Sequence, residues 1–193
     1  MHPVLWNFPI PIYTYGACVA LAFLVGIKIT LDRTAKAGID RNFIMNLSLI
    51  ILAASVVGAR LLYVVEQWEY FRLHPGEIWM VHRGGLSYFG GLASALLAAI
   101  ATVRLRGMRC LPIADAFMPA VAIGQAIGRL GCYFNGCCYG IVQEGRFAVM
   151  FPKGSPAFSD QVARGLIPYG WEYSLPVLPA QLITSMTDLL LFC

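Results

Sequence analysis

Charge disappears from four long stretches of this sequence: residues 8–27, 43–59, 84–103 and 116–143, the last broken only by Arg129. Each is close to the ~20 apolar residues that a helix needs to cross the hydrocarbon core of a bilayer. A helix satisfies its own backbone hydrogen bonds in lipid, so windows of this kind suit membrane spans. A water-soluble helical core has no need of so many. Composition agrees, with 59% hydrophobic and 12% charged residues, against about 25% charged in soluble domains. The expected fold class is all-α, a polytopic membrane helix bundle with loop or cap segments on the outer side.

A net charge of +4 would suit nucleic acid if it formed one patch, but the basic residues are dealt into loops. Lys28, Arg33, Lys36 and Arg41 follow the first apolar run, and Arg104, Arg106 and Arg109 follow the third. The segment before the first run has no Lys or Arg. By the positive-inside bias the N-terminus lies outside and both basic loops face the cytoplasm. No nucleic-acid partner is expected; the lipid bilayer is. With no basic region ahead of it, the first run reads as a retained span rather than a cleaved signal peptide.

The whole of 1–193 reads as one integral membrane domain. Its spans lie at roughly 9–30, 43–65, 86–103 and 111–134, with a partial one at 178–193, and outer-side segments fill 66–83 and 141–177. Pro9 and Pro11 suit a helix entry. Residues 66–83 mix Trp, Tyr and charge, as a segment lying in the headgroup plane does; His74 and His82 have no metal-ligand companions at useful spacing. The pairs Gly84-Gly85 and Gly90-Gly91 disfavour regular helix and suggest irregular backbone lining a cavity. Pro119 is placed to kink the fourth span, and Gly124 with Gly128 makes a small-residue face for helix packing. The last apolar run is short for a span, so the chain is expected to be cut short.

The residues 124–140, GQAIGRLGCYFNGCCYG, carry the chemistry. Arg129 is a cation at or near hydrocarbon depth, which by default marks a site facing a cavity or partner; the alternative is an arginine snorkelling to the interface. Arg60 is open in the same way, as a second intramembrane cation or an interfacial snorkeler. Cys132, Cys137 and Cys138 form a C-x4-CC cluster that is not a standard zinc spacing. Three readings stay open: a structural disulfide of Cys132 with one of the pair or with Cys18, a soft-metal or redox thiol site, or small buried hydrophobes.

Assembled in order, these residues make the chain resemble the prolipoprotein diacylglyceryl transferase family. The resemblance rests on Tyr15-Gly16, Gly58-Ala59-Arg60-Leu61 with Tyr63, His74-Pro75 and Glu77, Gly84-Gly85-Leu86-Ser87, Gly90-Gly91-Leu92, Gly128-Arg129-Leu130-Gly131, Asn135-Gly136 and Gly140, and Pro179, Gln181 and Leu182. It implies a bacterial inner-membrane enzyme that moves a diacylglyceryl group from phosphatidylglycerol to the lipobox cysteine of a prolipoprotein. It implies Arg129 and Tyr15 as catalytic residues. For substrate binding it implies Arg129, Arg60, Asn135, Gly84, Gly85, Gly90, Gly91 and Gly140. No cofactor and no metal are expected.

Departures from the family pattern are specific. Phe89 stands where the family has a histidine that is a candidate thiol base, Cys132 replaces an asparagine and Cys137 a glutamate. Leu178 and Thr184 replace a later histidine and glutamate, and the family's final helix, with its own arginine and glutamate, is absent. Tyr88, Tyr15, Glu66 or the lipid phosphate are the remaining candidates to activate the thiol. Two other functions compete: a membrane thiol or metal oxidoreductase on the same scaffold, and a non-catalytic phospholipid-binding or transport protein.

Overall fold

The structure, a computed structural model, describes the backbone of residues 4–6, 12–81 and 84–192, and the side chains of 14–81 and 84–192. Pro9, Pro11 and His82 lie outside the described residues. A small antiparallel ribbon, β1 (Val4–Trp6) with β2 (Ile12–Tyr13), precedes the first helix. It is followed by α1 (Thr14–Lys36), α2 (Arg41–Glu66), the short α3 (Trp68–Phe71) and a 3-10 helix (Pro75–Trp79). Next come α4 (Tyr88–Leu105), α5 (Cys110–Asn135), α6 (Pro156–Ala163) and α7 (Ala180–Phe192). The protein is a multi-pass helical membrane protein. Helices α1, α2, α4 and α5 are each long and apolar enough to cross a bilayer, and only 11–22% of their apolar windows is buried within the protein. Leu24, Val57 and Leu97 stand on such open surface, which is stable only against lipid.

The first helix begins at Thr14, later than the apolar run suggests, because the ribbon's second strand occupies Ile12 and Tyr13. Turn chemistry sets the helix ends. Asp40 caps α2 by accepting from the backbone N–H groups of Asn42 and Phe43 at 3.3 and 3.0 Å, a contact of about 1 kcal/mol. The two basic turns each use a left-handed glycine, Gly38 and Gly107, just past a helix C-terminus. Pro119 sits inside α5, which continues through it.

Contacts divide the chain into two compact units, Met1–Thr30 with Phe117–Cys193, and Leu31–Ala116. In the second unit α2 and α4 pack at glycines. A Cβ on Gly58 would fall 1.9 Å from Ser94 Oγ and 2.7 Å from the Gly90 carbonyl oxygen, and one on Gly90 would fall 2.4 Å from the Gly58 carbonyl. Gly90 and Gly91 are therefore regular, buried helix, not irregular backbone around a cavity; the glycine cost in helix propensity is offset by close packing. The Arg106 guanidinium lies 5.8 Å over the Phe43 ring, so the two basic turns sit together.

In the other unit α1 meets α5 along small residues. A Cβ on Gly131 would lie 2.9 Å from Cys18 Cβ, and Gly124 and Gly26 face the carbonyls of Ala22 and Ala120 at 3.9 and 3.7 Å. Gly128 faces open space, so the packing face is Gly124 with Gly131, a helical repeat apart, rather than Gly124 with Gly128. The 141–177 segment, read from the sequence as an outer-side cap, folds around Phe151, Ala157 and Val177 with Tyr133 and Tyr139 against them.

Candidate functional site

Two clusters hold the residues singled out from the sequence, one in each unit. The first gathers at the end of α5 and the start of α1. Tyr15 is the second residue of α1, and its ring lies 3.3 Å from where a Gly131 Cβ would stand; only glycine lets the two helices close there. Arg129 is half-buried, two residues before Gly131. Its guanidinium makes no hydrogen bond or ion pair with another described residue, while its charge reaches Tyr15 and Cys138. An uncompensated cation in an apolar helix is costly. It is the arrangement expected of a group whose partner is a bound anion.

The thiols complete this cluster. Helix α5 ends at Asn135, the chain turns back through left-handed Gly136, and Cys138 adopts φ 59, an uncommon value for a non-glycine residue. These turns bring the Sγ atoms of Cys132, Cys137 and Cys138 within 4.8 Å of one another. Cys137 and Cys138 are 3.8 Å apart at sulfur. All three are free thiols, as is Cys18, so no disulfide links them. A hydrogen bond from the Cys132 thiol holds the Cys137 thiol down to about 5 against desolvation, and the Asn135 side chain acts in the same direction. Desolvation and the Cys137 charge push Cys138 up, with Arg129 opposing.

Asn135 thus serves Cys137. Gly140 is a packing position: its N–H donates to the Leu178 carbonyl at 2.9 Å, and a Cβ there would sit 3.1 Å from Leu178. Beside the thiols an open cleft of about 360 Å³ is lined by Cys137, Cys138, Tyr139, Asp160 and Arg164, among others. Tyr139 donates to Asp160, which also accepts from Arg164 Nε at 3.0 Å. Desolvation and this bond raise the Tyr139 phenol to about 12, and the same bond holds the Asp160 carboxyl below its usual value.

The second cluster surrounds Arg60, which is 8% exposed. Its Nε donates to the Ile78 carbonyl at 2.8 Å, one terminal nitrogen to Gly84 and Gly85, both at 2.9 Å, and the other to Glu77 at 2.6 Å. The rings of Phe71 and Tyr63 lie 5.2 and 5.7 Å from the guanidinium. Four of its five N–H donors are therefore spent on backbone carbonyls. Arg60 is neither a snorkelling side chain nor an open anion receptor; it is the clamp that ties the 66–87 segment to α2. Gly84 and Gly85 have φ of 86° and 74°, and a Cβ on Gly85 would meet Tyr63 at 2.5 Å. They owe their identity to this clamp. Glu66 accepts from Ser87 Oγ at 3.1 Å, and Phe89 is exposed in the first turn of α4.

Gln181 is the residue whose structural role the sequence concealed. It is fully buried, and its Nε2 donates to the Cys137 carbonyl at 2.6 Å. A lone amide at the start of an apolar helix was the available signal. Asp188, in the same helix, is buried with one carboxylate oxygen unpartnered.

The family model described as "Prolipoprotein diacylglyceryl transferase" matches residues 3–193. The phosphatidylglycerol–prolipoprotein diacylglyceryl transferase of Finegoldia magna is 34% identical over 133 residues, covering 69% of this chain and 54% of that protein. The protein of that name from Bacillus mycoides is 33% identical over 127 residues, 66% of this chain and 47% of its own length. The chain spans about half the length of the curated relatives it matches. Matched by the family model along nearly all of its length, the chain belongs to the prolipoprotein diacylglyceryl transferase family.

Proposed function

We propose that this chain carries the lipid-phosphate site of an enzyme that transfers a diacylglyceryl group from phosphatidylglycerol to the lipobox cysteine of a prolipoprotein. The substrates are those in the names of its relatives. It works as one integral domain of the bacterial inner membrane, with the N-terminus and the 136–179 cap outside. In the reaction the C–S bond of a thioether forms as the C–O bond to phosphate breaks. The thiol gives up its proton, and glycerol phosphate leaves with the electron pair. A guanidinium presents paired donors to a phosphate, and one fixed in a dry site stabilises the charge that grows on the leaving group.

Arg129 fills that role, and Tyr15 directs the phosphate with its hydroxyl. The observation that carries this reading is the half-buried Arg129 guanidinium without a hydrogen-bond or ion-pair partner among the described residues. Arg60 acts at one remove, by holding Gly84 and Gly85 and thereby the 66–87 segment; Gly90 and Gly91 act by keeping α4 against α2.

The test supplies purified protein with labelled phosphatidylglycerol and a lipobox peptide. Wild type transfers label to the peptide cysteine, and Arg129→Ala loses about 100-fold or more in rate, the usual loss for one charge-stabilising donor. Lipid that binds wild type and is never transferred would overturn the enzymatic reading in favour of lipid binding alone.

A further inference from the structure

The three thiols that close the end of α5 are arranged as a ligand set. Cys132 lies in the last turn of the helix, and the Cys137 N–H donates to the Cys132 carbonyl at 3.1 Å, folding the chain back onto that turn. Left-handed backbone at Gly136 and again at Cys138 swings the two later side chains to one side. Adjacent residues in extended backbone would point apart; here the sulfurs of Cys137 and Cys138 are 3.8 Å apart. The Gln181 amide, buried in α7, pins the Cys137 carbonyl at 2.6 Å, so the loop is held from a second element. Cys132 and Cys137 are half-buried while Cys138 is exposed beside the cleft, which leaves an approach for a small cation.

Sulfur spacing decides between a bridge and a metal. A disulfide requires sulfurs about 2.05 Å apart, and these are free thiols. Metal–sulfur bonds of about 2.3 Å place tetrahedral or trigonal sulfur ligands about 3.8–4.0 Å apart. The observed 3.8 Å for one pair, with all three within 4.8 Å, needs only a slight contraction. Among the described residues the group contains these three thiols and no histidine or carboxylate, and soft thiolate sets select copper(I) or zinc over harder ions. Arg129 lies three residues before Cys132 on the same helix, and side chains so spaced are neighbours.

We propose that Cys132, Cys137 and Cys138 form a three-thiolate site for a thiophilic closed-shell cation, zinc(II) or copper(I). Binding releases to solvent the protons of whichever thiols still carry them as the metal–sulfur bonds form. Zinc would keep a fourth position for solvent; copper(I) would be held by the three sulfurs alone.

The experiment uses the full chain in detergent, reduced with a phosphine in the absence of air. It is loaded with zinc(II) in one arm and copper(I) in the other, stripped of excess ion, and assayed for bound metal and for competition with a chromophoric chelator. The expected result is one equivalent of one or both ions in wild type. Cys132→Ser, Cys137→Ser and Cys138→Ser should each weaken retention by about 100-fold or more, beyond what outer-shell changes cost, with unchanged helical circular dichroism. Cys110→Ser, at the opposite end of α5, should retain the ion. Retention of zinc alone or copper alone supports the site and fixes its geometry. Wild type that holds neither ion better than Cys132→Ser overturns the proposal, as does retention surviving all three single substitutions. No lipid enters the assay, so its outcome is independent of transferase activity.

Discussion

At the scale of single residues, the polar groups of this protein divide into those already satisfied and those left open. Arg60 and Arg129 look alike in sequence, each a lone cation near the end of an apolar run. The first is spent on four backbone carbonyls, whereas the second meets no described hydrogen-bond partner. Cys137 likewise differs from its neighbour. With its thiol held down to about 5 by the Cys132 hydrogen bond, it should be the thiolate of the three at neutral pH. Its alkylation rate in metal-free protein should therefore stay flat from about pH 8 to 6 and fall by half near 5. Cys138 should lose about tenfold per pH unit, as an ordinary thiol does. The profile, rather than the absolute rate, is the measurement, because a less basic thiolate is also a weaker nucleophile. Cys132→Ala should return the Cys137 profile to the ordinary thiol range, read by mass spectrometry of alkylated peptides; a Cys137 rate still climbing through pH 8–9 in wild type would refute the assignment.

Among elements, the α2–α4 pair and the 66–87 segment depend on each other. The helices touch at Gly58 and Gly90, where a methyl group would fall 2.7 Å or less from backbone oxygen. Gly58→Ala should cost about 1–3 kcal/mol, the range for overpacking, and Ser94→Ala should recover only part of it, since the Gly90 carbonyl remains in the way. Gly91→Ala, where the nearest backbone oxygen is 3.2 Å off, should cost less. Thermal unfolding in detergent orders the three variants. Arg60→Ala removes the clamp and leaves the carbonyls of Glu77, Ile78, Gly84 and Gly85, half-buried except at exposed Gly84, to find other partners. A loss of about 3 kcal/mol or more is expected, together with faster backbone hydrogen exchange across 66–87. Arg60→Lys should not rescue it, because a compact ammonium cannot reproduce the planar fork that spans four acceptors.

For the whole molecule, the proposed orientation, with the N-terminus outside, rests on where Lys and Arg fall along the sequence. The basic turns lie together at one end of α2 and α4, as Arg106 over Phe43 shows. In cells expressing a chain whose native cysteines are replaced by serine, Gly145→Cys should react with an impermeant maleimide from outside. Lys36→Cys should react only after the inner membrane is opened. The reverse pattern would invert the proposed topology. Much of the architecture was legible beforehand: an all-helical class and four apolar spans. What was hidden had long-range causes. The ribbon replaces the first turn of the expected span because Val4 pairs with Tyr13, and Gly90 is helical because Gly58, thirty-odd positions earlier, is there to receive it.

Spans follow from free energies of apolar transfer into lipid that add residue by residue along the chain, so the sequence determined them alone. Which glycine turns the backbone and which one packs, which arginine is consumed and which stays open, and whether three cysteines diverge or converge depend on backbone paths meeting across many residues. Those matters were decided only by the tertiary structure, because a guanidinium or a thiol takes its role from the atoms within a few ångströms of it, and most of these come from elsewhere in the chain.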